Sequence, residues 1–274
     1  MELVDRRNII MKVSKEYIDI YNEYLNVINE VNKEIKNIKK MQKKALRRKK
    51  FATKEEVLEL EENNIDKEYN KDEKENNKIY NFSNGDVYIG KIIKGRMQGQ
   101  GVYTFIEGIE YIGNFENDIK NGYGMCTFKS ENVYIGEFKD DNMSGIGQMI
   151  YKSQDEYIGN WLYGQKNGTG IYKWSEGSTY IGEFKNNKME GNGICYDSEG
   201  NLIYEGTWKN NLVHGKGTYI WQDGKKYIGE FAHGKRHGQG SFYIGDELAY
   251  EGTWEFDKPC ILNMTLDEIF SLRY

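Results

Sequence analysis

The residues with the types and spacing to do chemistry fall into four groups. Seven Gly-x-Gly motifs (Gly99/Gly101, Gly122/Gly124, Gly145/Gly147, Gly168/Gly170, Gly191/Gly193, Gly215/Gly217 and Gly238/Gly240) offer backbone N–H groups of the kind that cradle phosphates. Gly229, Gly234 and Lys235 come near a nucleotide-binding loop, and His233 with His237 have a metal-ligand spacing of four. Cys126, Cys195 and Cys260 are the available thiols. Lys39, Lys40, Lys43, Lys44, Arg47, Arg48, Lys49 and Lys50 put eight cations in twelve residues, a patch suited to an anionic partner.

The first three groups do not build a site. No Gly-x-Gly continues to a third glycine ahead of a helix, and Arg236 stands where a nucleotide loop needs the Ser or Thr that holds Mg²⁺. His233 and His237 share a side only on a helix, and here they read as a loop between strands. No Ser/His/Asp or Cys/His set can be assembled from what remains. The expectation is a non-enzymatic chain with no catalytic residue, no cofactor and no metal.

The glycines belong to something else. Tyr88-Ile89-Gly90 returns every 23 residues at Tyr111, Tyr134, Tyr157 and Tyr180, then after one 24-residue step at Tyr204, Tyr227 and Tyr250. The first seven copies each precede one Gly-x-Gly, so a fixed period assigns these residues a structural job. Within a copy, Tyr111, Gly113 and Phe115 alternate with Ile112 and Asn114, and Gly124, Cys126 and Phe128 alternate with Met125 and Thr127. Period-two alternation over about five residues between turns predicts two strands, hence a β-hairpin per copy. Stacked hairpins make one antiparallel ribbon, about 75 Å long at about 4.8 Å per strand. Its ring-bearing side, left uncovered by any second layer, is expected to form a partner-binding groove along Tyr111, Phe115, Phe138, Trp161, Tyr172, Phe184, Trp208, Tyr219 and Phe231.

The pattern Tyr-x-Gly-x-Phe/Trp followed by Gly-x-Gly-x-Tyr resembles the membrane occupation and recognition nexus (MORN) repeat family over about residues 80–256. Ile92 departs from it by standing where the first copy should carry a ring, and Glu131 and Gln154 by replacing a turn glycine. The resemblance implies a mainly β fold of about eight 23-residue hairpin repeats. It also implies work as a scaffold in cytoskeletal or ciliary (axonemal) assemblies, with a cytoplasmic location.

Around the array the chain changes character. Residues 1–54 hold 15 Lys/Arg against 7 Asp/Glu, residues 55–80 hold 4 against 10, and residues 81–274 hold 19 against 26. Such asymmetry assigns different partners to different segments. From Ile10 the apolar positions step by three and four through Val13, Tyr17, Ile20, Tyr24, Val27, Val31, Ile38, Met41 and Ala45, with Glu34 the one break. That predicts a long amphipathic helix with a coiled-coil seam over residues 1–52, widened by Ile18, Leu25, Ile28 and Ile35. It serves equally to dock on this chain's own sheet, to form a homodimer or to meet a partner helix. Residues 53–79 read as a short helix begun by the capping box Thr53-Lys54-Glu55-Glu56 and an acidic linker, 80–258 as the array, and 259–274 as a C-terminal capping helix.

No stretch approaches 18 apolar residues, and the N-terminus shows no secretory signal. The expected activity is therefore capture of a partner's helix or peptide in the groove. A peripheral membrane protein binding anionic phosphoinositides through Lys39–Lys50 is the alternative. The array's net −7 opposes that alternative, and nucleic acid is not an expected partner because the one basic patch lacks interleaved aromatics.

Overall fold

The computed structural model describes residues 78–260 and, ahead of them, residues 22, 24–33, 35–40 and 43. Hairpins form because each copy supplies two residues that tolerate a left-handed backbone. Asn117 (φ 52) and Asp118 (φ 74) make a two-residue turn of the type whose twist matches that of the strands it joins. Asp140-Asp141, Asn186-Asn187 and Asn210-Asn211 repeat it. The second turn residue also ties its hairpin to the preceding one. Asp118 N–H donates to the Met97 carbonyl at 3.2 Å, and Met97 N–H donates to Asp118 Oδ1 at 2.7 Å. Asp141 with Lys120, Asn187 with Lys166, Asn211 with Met189 and Asp257 with Arg236 do the same.

Among the described residues seventeen strands form one open antiparallel sheet. They are β1 (Lys78–Asn81), β2 (Val87–Ile93), β3 (Arg96–Thr104), β4 (Glu110–Glu116), β5 (Ile119–Thr127), β6 (Val133–Lys139), β7 (Asn142–Ile150) and β8 (Glu156–Leu162). There follow β9 (Gln165–Lys173), β10 (Thr179–Lys185), β11 (Lys188–Tyr196), β12 (Leu202–Lys209), β13 (Leu212–Ile220), β14 (Lys226–Ala232), β15 (Lys235–Ile244), β16 (Glu247–Glu255) and β17 (Lys258–Pro259). Pro259, expected to open a capping helix, instead lies opposite Trp254 in the last strand pair. The described residues fall into two units that divide between Gly164 and Gln165.

The unit before the division also holds a helix, α1, over residues 24–40. Tyr24, Ile28, Val31, Ile35 and Ile38 are buried along one side of it, a 4-3-4-3 stripe. This corrects the seam: Ile28 and Ile35 belong to the buried stripe, so Glu34 interrupts nothing. The rest of the expected helix, the 53–77 segment and the C-terminal helix lie outside the described residues.

Connections between copies close on a residue with positive φ: Gly108 (89), Gly177 (108), and, where glycine is absent, Glu131 (67) and Gln154 (70). A non-glycine residue in this region carries about 1–2 kcal/mol of strain. Part of that gain is returned through the freer unfolded chain of a glycine. Gln154→Gly is expected to stabilise the sheet by roughly 0.5–1 kcal/mol, read as a higher urea midpoint at an unchanged slope.

Candidate functional site

The ring-bearing side is organised by a contact between each leading tyrosine and two glycines. In β4 and β5, Gly113 pairs with Gly124, after which Asn114 stands alone opposite residues 121–123 in a bulge. Gly122, the first glycine of its Gly-x-Gly, takes φ +92 there. Tyr111 lies flat over the paired glycines, so that a Cβ on Gly124 would sit 2.6 Å from its ring. A bulge leaves a backbone group without a ladder partner, and the Tyr111 hydroxyl donates to the Asn114 carbonyl at 3.0 Å. All eight leading tyrosines, from Tyr88 to Tyr250, donate to the carbonyl three residues on, at 2.9–3.2 Å.

The next ring is wedged between two such tyrosines. Phe115 meets Tyr88 at 5.3 Å and Tyr111 at 5.1 Å, both edge-to-face, and Phe138 meets Tyr111 at 5.0 Å and Tyr134 at 5.1 Å. In the second unit Trp208 sits between Tyr180 and Tyr204, Phe231 between Tyr204 and Tyr227, and Trp254 between Tyr227 and Tyr250. Edge-to-face pairs add about 0.5–1.5 kcal/mol each beyond the area they bury. The indole N–H groups of Trp161, Trp208 and Trp254 donate to the carbonyls of Gly147, Gly193 and Gly240 at 3.0, 3.2 and 3.1 Å.

This packing corrects the expected open trough. Tyr111, Phe115, Phe138, Trp161, Phe184 and Phe231 are buried, at most 5% exposed, and Tyr172, Trp208 and Tyr219 are half-buried. The strands leave the rings uncovered, but side chains from neighbouring positions cover them. Lys120 Nζ lies 5.9 Å from the centre of Phe138, Lys166 Nζ 4.5 Å from Tyr172, and the Arg236 guanidinium 4.3 Å from Trp254. Long basic stems over rings add burial and cation–π attraction together.

What remains accessible on this side is a row of which sequence reasoning placed only Phe128: Phe82, Phe105, Phe128, Tyr151, Trp174 and Trp221, all half-buried. Extending the strand alternation two residues past Tyr103 and its equivalents would have found it. Tyr103 meets Phe105 at 4.6 Å, Tyr172 meets Trp174 at 5.0 Å, and Tyr219 meets Trp221 at 4.7 Å. Asp197 takes the ring's place in one copy, and beside it Tyr219, Trp221 and Ile203 line a depression of about 440 Å³.

The opposite side of the first unit carries a second surface. Ile112, Ile135 and Ile158 point away from the rings and are buried, whereas Ile228, at the same place in a later copy, is 43% exposed. Asn160 projects on the Ile158 side, and the Tyr24 hydroxyl of α1 donates to its Oδ1 at 2.7 Å. The apolar stripe of α1 and the isoleucine row are each buried, and the Tyr24–Asn160 hydrogen bond joins the helix to this side of the sheet.

The remaining sequence candidates have structural placements. Gly229 lies under Tyr227 and Gly234 (φ +82) in a hairpin turn, which accounts for the nucleotide-loop resemblance. His214 faces His233 with ring centres 5.8 Å apart, and His237 packs on Phe256. Among the described residues no group of three His, Cys, Asp or Glu is placed to hold a metal. Cys126 is buried, Cys195 half-buried and Cys260 exposed, all as free thiols. Burial pushes the thiol pKa of Cys126 up and that of Cys195 to about 11. Of the basic patch, Lys39, Lys40 and Lys43 are exposed. Lys44, Arg47, Arg48, Lys49 and Lys50 lie outside the described residues.

A family model described as "MORN repeat" matches residues 88–109, 111–133, 134–156, 157–179, 180–202, 204–226, 227–247 and 250–260. No curated protein matches the chain. Among solved structures, it is similar to the SAS-4 (dCPAP) TCP domain of Drosophila melanogaster in complex with a proline-rich motif of Ana2 (dSTIL). The identity there is 10% and the TM-score 0.32, over 62% of this chain and 84% of that one. A streptogramin B lyase matches at 8% identity and TM-score 0.18, over 66% of this chain and 70% of its own. Virginiamycin B lyase from Staphylococcus aureus matches at 13% and 0.15, over 64% and 54%. At these TM-scores the three structures carry no functional argument.

Two outcomes test the tyrosine–glycine contact. Gly124→Ala forces a methyl into the Tyr111 ring and is expected to cost about 1–3 kcal/mol in denaturant unfolding. Burial pushes the Tyr227 hydroxyl pKa up to about 12, and those of Tyr111 and Tyr134 further. An unfolded tyrosine titrates near 10. The stability these groups supply is therefore complete below about pH 10 and lost as pH rises through the folded values. Tyrosinate absorbance at these positions should appear together with loss of the β circular dichroism signal.

Proposed function

The chain belongs to the MORN-repeat family, and on that premise we propose that it is a non-enzymatic scaffold whose sheet binds a helix or extended peptide of a partner protein. One observation carries the reading: the sheet already holds an amphipathic helix, with the stripe of α1 buried and Tyr24 bonded to Asn160. A surface that buries one helix by apolar contact has the chemistry to recognise others. On the opposite side, Tyr172, Trp174, Tyr219 and Trp221 are accessible anchors. The buried rings of Tyr111, Phe115, Phe138, Trp161, Phe184 and Phe231 serve as the stiff support beneath them. The setting we propose is a cytoskeletal or ciliary assembly in the cytoplasm.

A second reading is attachment to an anionic membrane. Lys33, Lys36, Lys39, Lys40 and Lys43 are all exposed, while the apolar stripe of the same helix is turned into the sheet. Each cation near an anionic surface is worth about 1 kcal/mol. The acidic array weakens that attraction, which places the scaffold reading first.

Proximity labelling with the full chain separates contact from support. Trp174→Ala with Trp221→Ala should remove the labelled partner set while leaving the fold intact. Trp161→Ala should instead unfold the sheet, at about 3–5 kcal/mol. A partner set unchanged by the surface pair would contradict binding on that side. Lys39, Lys40 and Lys43 replaced by Gln test the membrane: vesicle binding that is strong at physiological salt and lost in this variant would put the second reading first.

A further inference from the structure

One copy of the repeat breaks the pattern twice, and the two breaks fall together. Its neighbours carry the ring pairs Tyr172 with Trp174 and Tyr219 with Trp221, whereas this copy has Cys195 and Asp197 at those places. It is also the copy of 24 residues rather than 23. The extra residue is absorbed between β11 and β12: Cys195 pairs with Tyr204 and Tyr196 with Leu202, which leaves Ile203 unopposed. A bulge re-aims the side chain it frees, and Ile203 packs against the ring-side cluster that holds Tyr204 and Phe231. Two missing rings and one redirected isoleucine leave the depression of about 440 Å³ lined by Asp197, Ile203, Tyr219, Trp221 and Asp223.

The chemistry of this depression is one anion beside two aromatic rings. Asp197 Oδ1 accepts from the Glu199 and Asn201 N–H groups at 2.9 and 2.8 Å, and Oδ2 from the Asn201 side-chain amide at 3.0 Å. These donors fix the carboxylate and are all neutral; among the described residues no cation pairs with it. The other charges nearby are balanced. Lys225 sits 2.9 Å from Asp223, and Arg236, 5.5 Å from the centre of the Trp221 ring, is paired with Asp257 at 3.3 Å. Arg236 also shows what such a combination holds, since its guanidinium lies 4.3 Å from the centre of Trp254 with Asp257 as counter-ion. A guanidinium stacks on a ring and meets a carboxylate through paired N–H donors, which a lysine ammonium does not do. We propose that the depression at Asp197 receives an arginine side chain of a partner protein, its guanidinium against Tyr219 and Trp221 and its N–H groups on Asp197. The proposal deepens the scaffold reading and rests on it for the partner, while the cation site is tested with a small probe.

The probe is Nα-acetylarginine amide, titrated into the full chain while NMR follows the indole N–H signals of its five tryptophans. The Trp221 signal should shift and saturate, while that of Trp161, whose N–H is bonded to the Gly147 carbonyl, should stay in place. The neutral citrulline analogue should bind at least about fivefold more weakly, and the lysine analogue at least about threefold more weakly. Asp197→Asn keeps an oxygen for the Glu199 and Asn201 N–H groups and removes the charge. It should weaken arginine binding at least about fivefold at an unchanged urea midpoint. No saturable shift at Trp221, equal binding of arginine and citrulline, or undiminished affinity in Asp197→Asn overturns the proposal. Equal binding of the lysine analogue overturns its assignment to arginine. The citrulline comparison uses the unsubstituted chain, so it decides even where Asp197→Asn disturbs the turn. If arginine binds and the Trp174/Trp221 pair leaves the partner set unchanged, partner binding on the ring side fails and the cation site stands. If the pair removes the partner set and arginine does not bind, only the cation site fails.

Discussion

A tyrosine lying flat across two glycines, with its hydroxyl on a bulge carbonyl, is the constraint from which the rest of this sheet follows. The ring needs both glycines bare, because a methyl on either would overlap it, as at Gly113 and Gly124 under Tyr111. The bulge needs the first glycine of the Gly-x-Gly in a positive-φ conformation, as at Gly122. The hydroxyl then supplies the donor that the bulge takes from the ladder. Once that tyrosine is fixed, the next copy has one place for its Phe or Trp, edge-on between two tyrosines. The 23-residue period is the length that returns this contact to the same face.

Packing of that kind makes the two sides of the sheet unequal. The ring side is largely consumed in holding neighbouring hairpins together, and lysines, an arginine and the ring edges close most of it. The opposite side carries no ring ladder, and its residue types differ between copies. In the first unit it carries isoleucines and buries a helix. In the second, Ile181 is buried with Ile194 and Tyr196, whereas Glu205, Ile228 and Glu251 occupy the equivalent positions in later copies and are exposed.

Much of this was legible before any coordinates. The period, the hairpins, the alternation of Tyr111, Gly113 and Phe115 against Ile112, and the structural use of every Gly-x-Gly follow from spacing alone. The covering of Phe138 by Lys120 and of Trp254 by Arg236 did not. A long side chain reaches across to the next strand, and a pattern written along one strand does not show it. The phase of α1 was misread for a related reason. Two stripes run through residues 24–38, and only one, through Ile28 and Ile35, avoids Glu34. The same pattern suits a coiled coil or a sheet, and Asn160, more than 130 residues away, supplies the polar partner that marks the sheet.

The central claim is that the repeat sheet holds a helix on the side facing away from its rings. Isolated helices of this length are marginal in water, so amide hydrogen exchange separates a seated helix from a free one. The account predicts that amides of residues 24–38 in the full chain exchange far more slowly than in an isolated peptide of residues 20–43. Exchange at the same rate in both would contradict it.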